Sequence, residues 1–154
     1  MLQTRRSVIK AGGALGLLAA FGTALLNPGR ALAARNQGAF EAKSLADALR
    51  SLGVSSAEES KDILIRAPDI AENGAVVPID VTSHVPGTSA ILVFVEKNPF
   101  PYAGSFDVSQ GTEPFVHLRV KMGESSPVRV VVAAGGKFYT TAKEVKVTIG
   151  GCGG

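Results

Sequence analysis

The sequence predicts an all-β fold: an immunoglobulin-like antiparallel β-sandwich of about seven strands, preceded by one N-terminal helix. Three observations lead there. Apolar and polar residues alternate at period two through most of the second half of the chain, the spacing of strands with one buried face. Turn-forming pairs such as Pro86-Gly87 and Gly135-Gly136 punctuate these runs, and no helical crossover separates them, which argues against a parallel α/β sheet. The length of 154 residues suits one domain, and 45% hydrophobic against 19% charged residues marks a chain that buries a core.

The first 33 residues read as an address. Arg5-Arg6 is followed by Ser7-Val8-Ile9-Lys10 and then by an apolar stretch from Ala11 to Leu26, 16 residues interrupted by glycines. A spanning helix needs about 20 apolar residues, so stable membrane insertion is not expected. Ala31-Leu32-Ala33 supplies the small-x-small pattern of a cleavage site. The Thr4–Lys10 segment resembles the twin-arginine export motif, with Val8 where an aromatic is usual. Residues 1–33 are therefore expected to be a cleaved twin-arginine-type signal peptide, and the mature body to work in the periplasm.

Removing the leader changes the electrostatic reading. The whole chain has a formal net charge of +3, but Arg5, Arg6, Lys10 and Arg30 lie in a leader without acids. That leaves 12 of the 16 basic residues against all 13 acidic ones, a net charge of −1. Nucleic-acid binding needs a basic excess, which this body lacks.

In the mature chain, Phe40, Leu45, Ala48, Leu49 and Leu52 follow helical spacing between Ala39 and Leu52, with Gly53 as the stop. Ile63-Leu64-Ile65 is a short strand ended by Pro68. Val77, Ile79 and Val81 form the next. Ile91–Val95 is apolar on both faces, as a central strand or a strand at a subunit interface would be; Asn98-Pro99-Phe100-Pro101 breaks it. Val116, Leu118, Val120 and Met122 alternate with His117, Arg119 and Lys121. Val128, Val130 and Val132 precede the Gly135-Gly136 hairpin, and Val145, Val147 and Ile149 line one face of the last strand.

The last strand runs directly into Gly150-Gly151-Cys152-Gly153-Gly154, and Cys152 is the only cysteine. An intrachain disulfide and a multi-cysteine zinc site are thereby excluded. Glycine reaches all of φ/ψ space, so this tail is expected to be a flexible arm. Five extended residues span about 17 Å, and the thiol lies three residues, about 10 Å, past Ile149. Free thiols titrate near about 8.5, so little thiolate forms at neutrality. No Lys, Arg or His stands within five residues of Cys152 to change that. The chemistry is expected to belong to whatever cleft receives the arm. Lipid anchoring does not fit: a prenylation box needs three residues after the cysteine, and here there are two.

The ending Val145-Lys146-Val147-Thr148-Ile149-Gly150-Gly151-Cys152-Gly153-Gly154 resembles the C-terminus of the SoxY family, sulfur-carrier subunits of the periplasmic thiosulfate-oxidising Sox system. The likeness continues in Pro68-Asp69-Ile70-Ala71-Glu72-Asn73-Gly74-Ala75-Val76-Val77-Pro78 and in Val95-Glu96-Lys97-Asn98-Pro99. It implies a helix plus β-sandwich carrier domain over residues 34–149 and a carrier arm over 150–154. It also implies that Cys152 holds pathway intermediates covalently, with Gly150, Gly151, Gly153 and Gly154 letting one arm enter several active sites. The implied partners are a SoxZ-like β-sandwich subunit in a heterodimer and three transient enzymes. These are a haem enzyme that couples thiosulfate to the thiol, a hydrolase that releases sulfate, and a sulfur dehydrogenase. No cofactor is implied beyond the sulfur bound to Cys152, and the chain is expected to be a substrate of enzymes and not itself one.

The remaining chemistry-bearing residues have ordinary readings. His117 points outward from a strand, His84 precedes a turn, and neither has metal-ligand spacing. Gly135-Gly136 lacks the strand–glycine–helix context of a phosphate loop. Three other functions compete: a thiocarboxylate carrier ending in Gly153-Gly154, which would need ATP outside the cytoplasm; a cysteine-dependent redox enzyme or thiol hydrolase; and an extracytoplasmic binding module.

Overall fold

The structure is a computed structural model that describes residues 36–149. Its strands are β1 (Glu58–Glu59), β2 (Ile63–Arg66), β3 (Ile70–Ala71), β4 (Val77–Ser83), β5 (Thr88–Val95), β6 (Tyr102–Asp107), β7 (Phe115–Val120), β8 (Ser126–Ala134) and β9 (Lys137–Val147). The larger sheet has the order β1-β9-β8-β5-β6, with β3 also on β9, and the smaller is β2-β4-β7. All pairings are antiparallel except those of β1 and β3, which run parallel to β9. The expected immunoglobulin-like sandwich is therefore present; two-residue β1 and β3 and the edge strand β6 join the six strands placed from the sequence, so the described residues hold nine strands where about seven were expected. The last strand is also longer than its Val145–Ile149 pattern suggested, because it begins straight after the Gly135-Gly136 turn.

That turn follows its sequence signal. Ala134 pairs with Lys137, and the two residues between them have φ of +57° and +77°. Both are left-handed, the backbone of a type I′ hairpin, in which glycine carries no Cβ penalty. Pro78, inside the central strand of the small sheet, is tolerated for a different reason. The β2 ladder ends at Arg66, opposite Asp80, so no β2 residue stands opposite Pro78 to need its missing N–H.

The predicted single helix divides in two: α1 (Gln37–Glu41) and α2 (Leu45–Ser51). The break lies at Ala42–Ser44 and its cause is capping. Ser44 adopts an extended backbone, and its Oγ accepts from Asp47 N at 3.1 Å and donates to the Asp47 carboxylate at 2.7 Å. A serine that caps a new helix satisfies a donor that a serine in mid-helix would leave to the backbone. Gly53 ends α2 as expected, with φ +76° and the paired bonds Val54 N to Leu49 O and Gly53 N to Arg50 O.

Side-chain alternation on β5 shows how both sheet faces are closed. Ile91, Val93 and Val95 point between the sheets with Ile79, Val81, Val130 and Met122, all fully buried. Leu92 and Phe94 point the other way, beneath α1 and α2, with Val131, Ala39 and Ala48. Tyr102 packs between this layer and the helices, its ring centroid 4.6 Å from that of Phe40 and 5.4 Å from that of Phe94, tilted against both. The doubly apolar Ile91–Val95 is thus a central strand covered on both faces by its own chain, and its reading as an interface strand does not hold. Among the described residues, no helix is long and apolar enough to cross a membrane.

Two outcomes follow. Phe94→Ala empties a fully buried site between sheet and helices, and it should lower stability by about 3–5 kcal/mol in urea unfolding at unchanged slope. Asp47 is held below its ordinary value of 3.8, first by the Ser44 hydroxyl and then by Arg50. Its contribution is therefore present above the unfolded value and lost as pH falls through the lower folded one. An NMR titration should place the Asp47 midpoint below 3.8 in the native chain and move it upward in Ser44→Ala.

Candidate functional site

The site begins where β9 loses its neighbour. The β8–β9 ladder ends with Ser126 opposite Val145, so Lys146 to Ile149 must find other partners for their backbone groups. On one side β3 supplies them. Lys146 N donates to Asp69 O at 3.0 Å, Thr148 N to Ala71 O at 3.1 Å, and Thr148 Oγ1 to Glu72 O at 3.0 Å. Lys143 secures the same segment, reaching Ala67 O at 2.7 Å and the Asp69 carboxylate at 3.0 Å. On the other side Ser125 stands in for the missing strand: its Oγ accepts from Val147 N at 2.8 Å.

Gly74 closes the arrangement. Its N–H donates to Ile149 O at 2.8 Å, and its carbonyl accepts from Met122 N at 2.7 Å. The loop that carries Met122 and Ser125 is anchored in turn by Asn98. The Asn98 amide donates to Lys121 O at 2.6 Å and accepts from Gly123 N at 3.1 Å. Lys97 N adds a bond to Ser126 Oγ at 3.0 Å, and Glu96 pairs with half-buried Arg129 at 2.6 Å. The two internal segments that carry the sequence resemblance, 68–78 and 95–99, thus converge on one end of the sandwich. That end is the one from which the last strand leaves.

Ile149 is the last described residue and is 67% exposed. Cys152 and the flanking Gly150, Gly151, Gly153 and Gly154 lie outside the described residues, as does the leader. Counted along the chain, the thiol stands about 10 Å from Ile149 when extended. The two histidines are elsewhere. His117 is on the outer face of the small sheet, its Nδ1 2.6 Å from Asp80 Oδ1. His84 lies past the far end of β4 from Gly74, roughly 23 Å along the strand at about 3.3 Å per residue. Among the described residues no group of three or more His, Cys, Asp or Glu could hold a metal.

Gly74, Asn98 and Ser125 hold the strand end, and residue-level reading of the sequence assigns them no role. Asn73-Gly74 and Asn98-Pro99 signal turns, but the bonds they and Ser125 make cross 22 to 75 positions of chain and leave no local pattern.

A family model described as sulfur oxidation protein SoxY matches residues 49–152. The solved structure of the sulfur carrier protein SoxY from Chlorobium limicola f thiosulfatophilum is 44% identical. The alignment covers 71% of this chain and 96% of that one, with a TM-score of 0.64. An engineered protein aligns over 56% of this chain and 20% of its own at 9% identity and a TM-score of 0.40. No curated protein matches the chain.

Ser125→Ala removes the acceptor for Val147 N and should cost about 1 kcal/mol. Hydrogen exchange should quicken at the Val147 amide while amides in β5 keep their protection.

Proposed function

The chain belongs to the SoxY family of sulfur oxidation proteins, and from that premise we propose that it is a covalent carrier, with Cys152 holding the intermediates of thiosulfate oxidation while other enzymes act on them. The observation that supports this most is where the fold ends. β9 is clamped up to Ile149 from both sides, and the segment beyond it is Gly-Gly-Cys-Gly-Gly, with the family match running to Cys152 itself. The fold supplies a fixed origin, and the arm supplies reach.

The chemistry on the arm is electron-balanced only with partners. Joining thiosulfate to the thiol forms an S–S bond, releases the thiol proton and gives up two electrons, which a haem enzyme accepts. Water then attacks the terminal sulfonate sulfur, and sulfate leaves with a persulfide remaining on Cys152. A sulfur dehydrogenase oxidises that sulfane sulfur to a sulfonate, taking six electrons and oxygen from water. A second hydrolysis frees sulfate and restores the thiol. Tethering holds each species at millimolar effective concentration near successive active sites and prevents its diffusion. In this reading the chain itself is not the catalyst, works as a heterodimer with a SoxZ-like sandwich, and is exported by its 1–33 leader to the periplasm.

Intact mass of the protein from thiosulfate-grown cells should show increments of sulfur or sulfonate that map to Cys152 and disappear on reduction. Cys152→Ser should abolish both the adducts and thiosulfate oxidation without changing the unfolding midpoint. An unmodified thiol under every growth condition would contradict the proposal.

A further inference from the structure

The loop between β3 and β4 carries a reactive pair. Asn73-Gly74 is the only Asn-Gly step in the sequence. In such a step the glycine nitrogen can attack the asparagine side-chain carbonyl carbon, because glycine has no Cβ to crowd the approach. The other asparagines lack this route. Asn27 and Asn98 precede proline, which has no N–H to give up, and Asn36 precedes Gln37, whose side chain crowds the same path. Asn73 is exposed, and its Oδ1 accepts from Ala75 N at 2.8 Å. That bond folds the side chain back along its own following peptide and polarises the Cγ carbonyl toward attack.

Gly74, by contrast, is buried and engaged on both sides. Its N–H donates to Ile149 O at 2.8 Å, and its carbonyl accepts from Met122 N at 2.7 Å. On the other flank of Asn73, Glu72 O accepts from Thr148 Oγ1 at 3.0 Å. The residue that must react is thus tied to the β9 end before and after it. Attack requires Gly74 N to give up its proton, and Ile149 O holds that proton. The clamp that fixes the strand end therefore also guards the pair, and only molecules whose β9 end has opened locally can react.

We propose that Asn73-Gly74 is a self-modification site, which deamidates through a cyclic imide at a rate set by how often the β9 end opens. The bond from Gly74 N to Asn73 Cγ forms, the Cγ–Nδ2 bond breaks, and ammonia leaves with the Gly74 amide proton. Water then opens the imide at either carbonyl. The product is aspartate or, with the backbone rerouted through the side chain, isoaspartate. No electrons are transferred, and water is the only co-reactant. The imide nitrogen carries no hydrogen, so Ile149 O loses its donor as soon as the ring closes. Isoaspartate adds one carbon to the backbone before Gly74 and shifts it off the register that its two bonds need. A transient opening thereby becomes permanent. On the carrier reading, the arm would then start nearer Thr148, and each freed residue adds about 3.5 Å of reach. The modification itself does not rest on that reading.

The test ages the mature chain, kept reduced, in one mildly alkaline buffer beside a synthetic peptide of residues 69–78. Mass spectrometry of the tryptic peptide 67–97 reads Asn73, and the remaining peptides read Asn36 and Asn98. Asn73 should convert to aspartate and isoaspartate, more slowly than in the free peptide, while Asn36 and Asn98 stay intact. Ser125→Ala, which frees Val147 N at the same strand end, should speed conversion about three- to ten-fold. Ser44→Ala, which removes a comparable bond at the α2 cap, should leave the rate unchanged. In the converted protein, hydrogen exchange should quicken at Met122, the amide that Gly74 O holds. Conversion as fast as in the peptide, or at one rate in all three chains, would overturn the guarding by the clamp. No Asn73 product in the wild type or in Ser125→Ala after many peptide half-lives would overturn the site. None of these readouts involves Cys152, so their failure leaves the carrier reading standing, and absence of adducts in cells leaves this one.

Discussion

A strand that outlives its sheet must find new hydrogen-bond partners or fray, and the rest of the molecule depends on how β9 meets this demand. After Val145 the β8 ladder is gone. Parallel β3, the Ser125 hydroxyl and the Gly74 amide take over one residue after another until Ile149. A carrier arm is useful only if its origin is fixed relative to the surface that partner enzymes grip. Among the described residues the last of these bonds is at Ile149, and in the proposed carrier the five residues that follow would set the reach of the thiol.

The other layers serve that end indirectly. The sandwich core and the helical cover close both faces of β5, so the largest apolar strand is fully used inside the chain. The 68–78 and 95–99 segments would be unremarkable loops in a generic sandwich; here they are ties between the sheet and the strand end. The one cysteine of the sequence follows the last described residue of this body.

Much of this was legible in the amino-acid order. Alternation at Val77–Val81, Val128–Val132 and Val145–Val147 predicted strands because one buried face imposes a period of two. The Gly135-Gly136 turn announced itself through the need for two left-handed residues. The helix break at Ser44 was less visible, since apolar spacing from Phe40 to Leu52 runs across it and only the capping chemistry interrupts it. Strands β1 and β3 were not legible at all: two residues carry no period, and their pairing with β9 is a long-range event. The same holds for the clamp. The five terminal residues could be singled out from composition alone, whereas Ser125 and Gly74 act through partners distant in sequence.

The central claim is an abrupt boundary between a held strand end and a free arm. Backbone order parameters across residues 145–154, measured by ¹⁵N relaxation on the protein with Cys152 as the free thiol, test it most directly. The account predicts values near about 0.85 through Ile149 and below about 0.6 from Gly150 onward. A Cys152 amide as ordered as that of Val147 would contradict it.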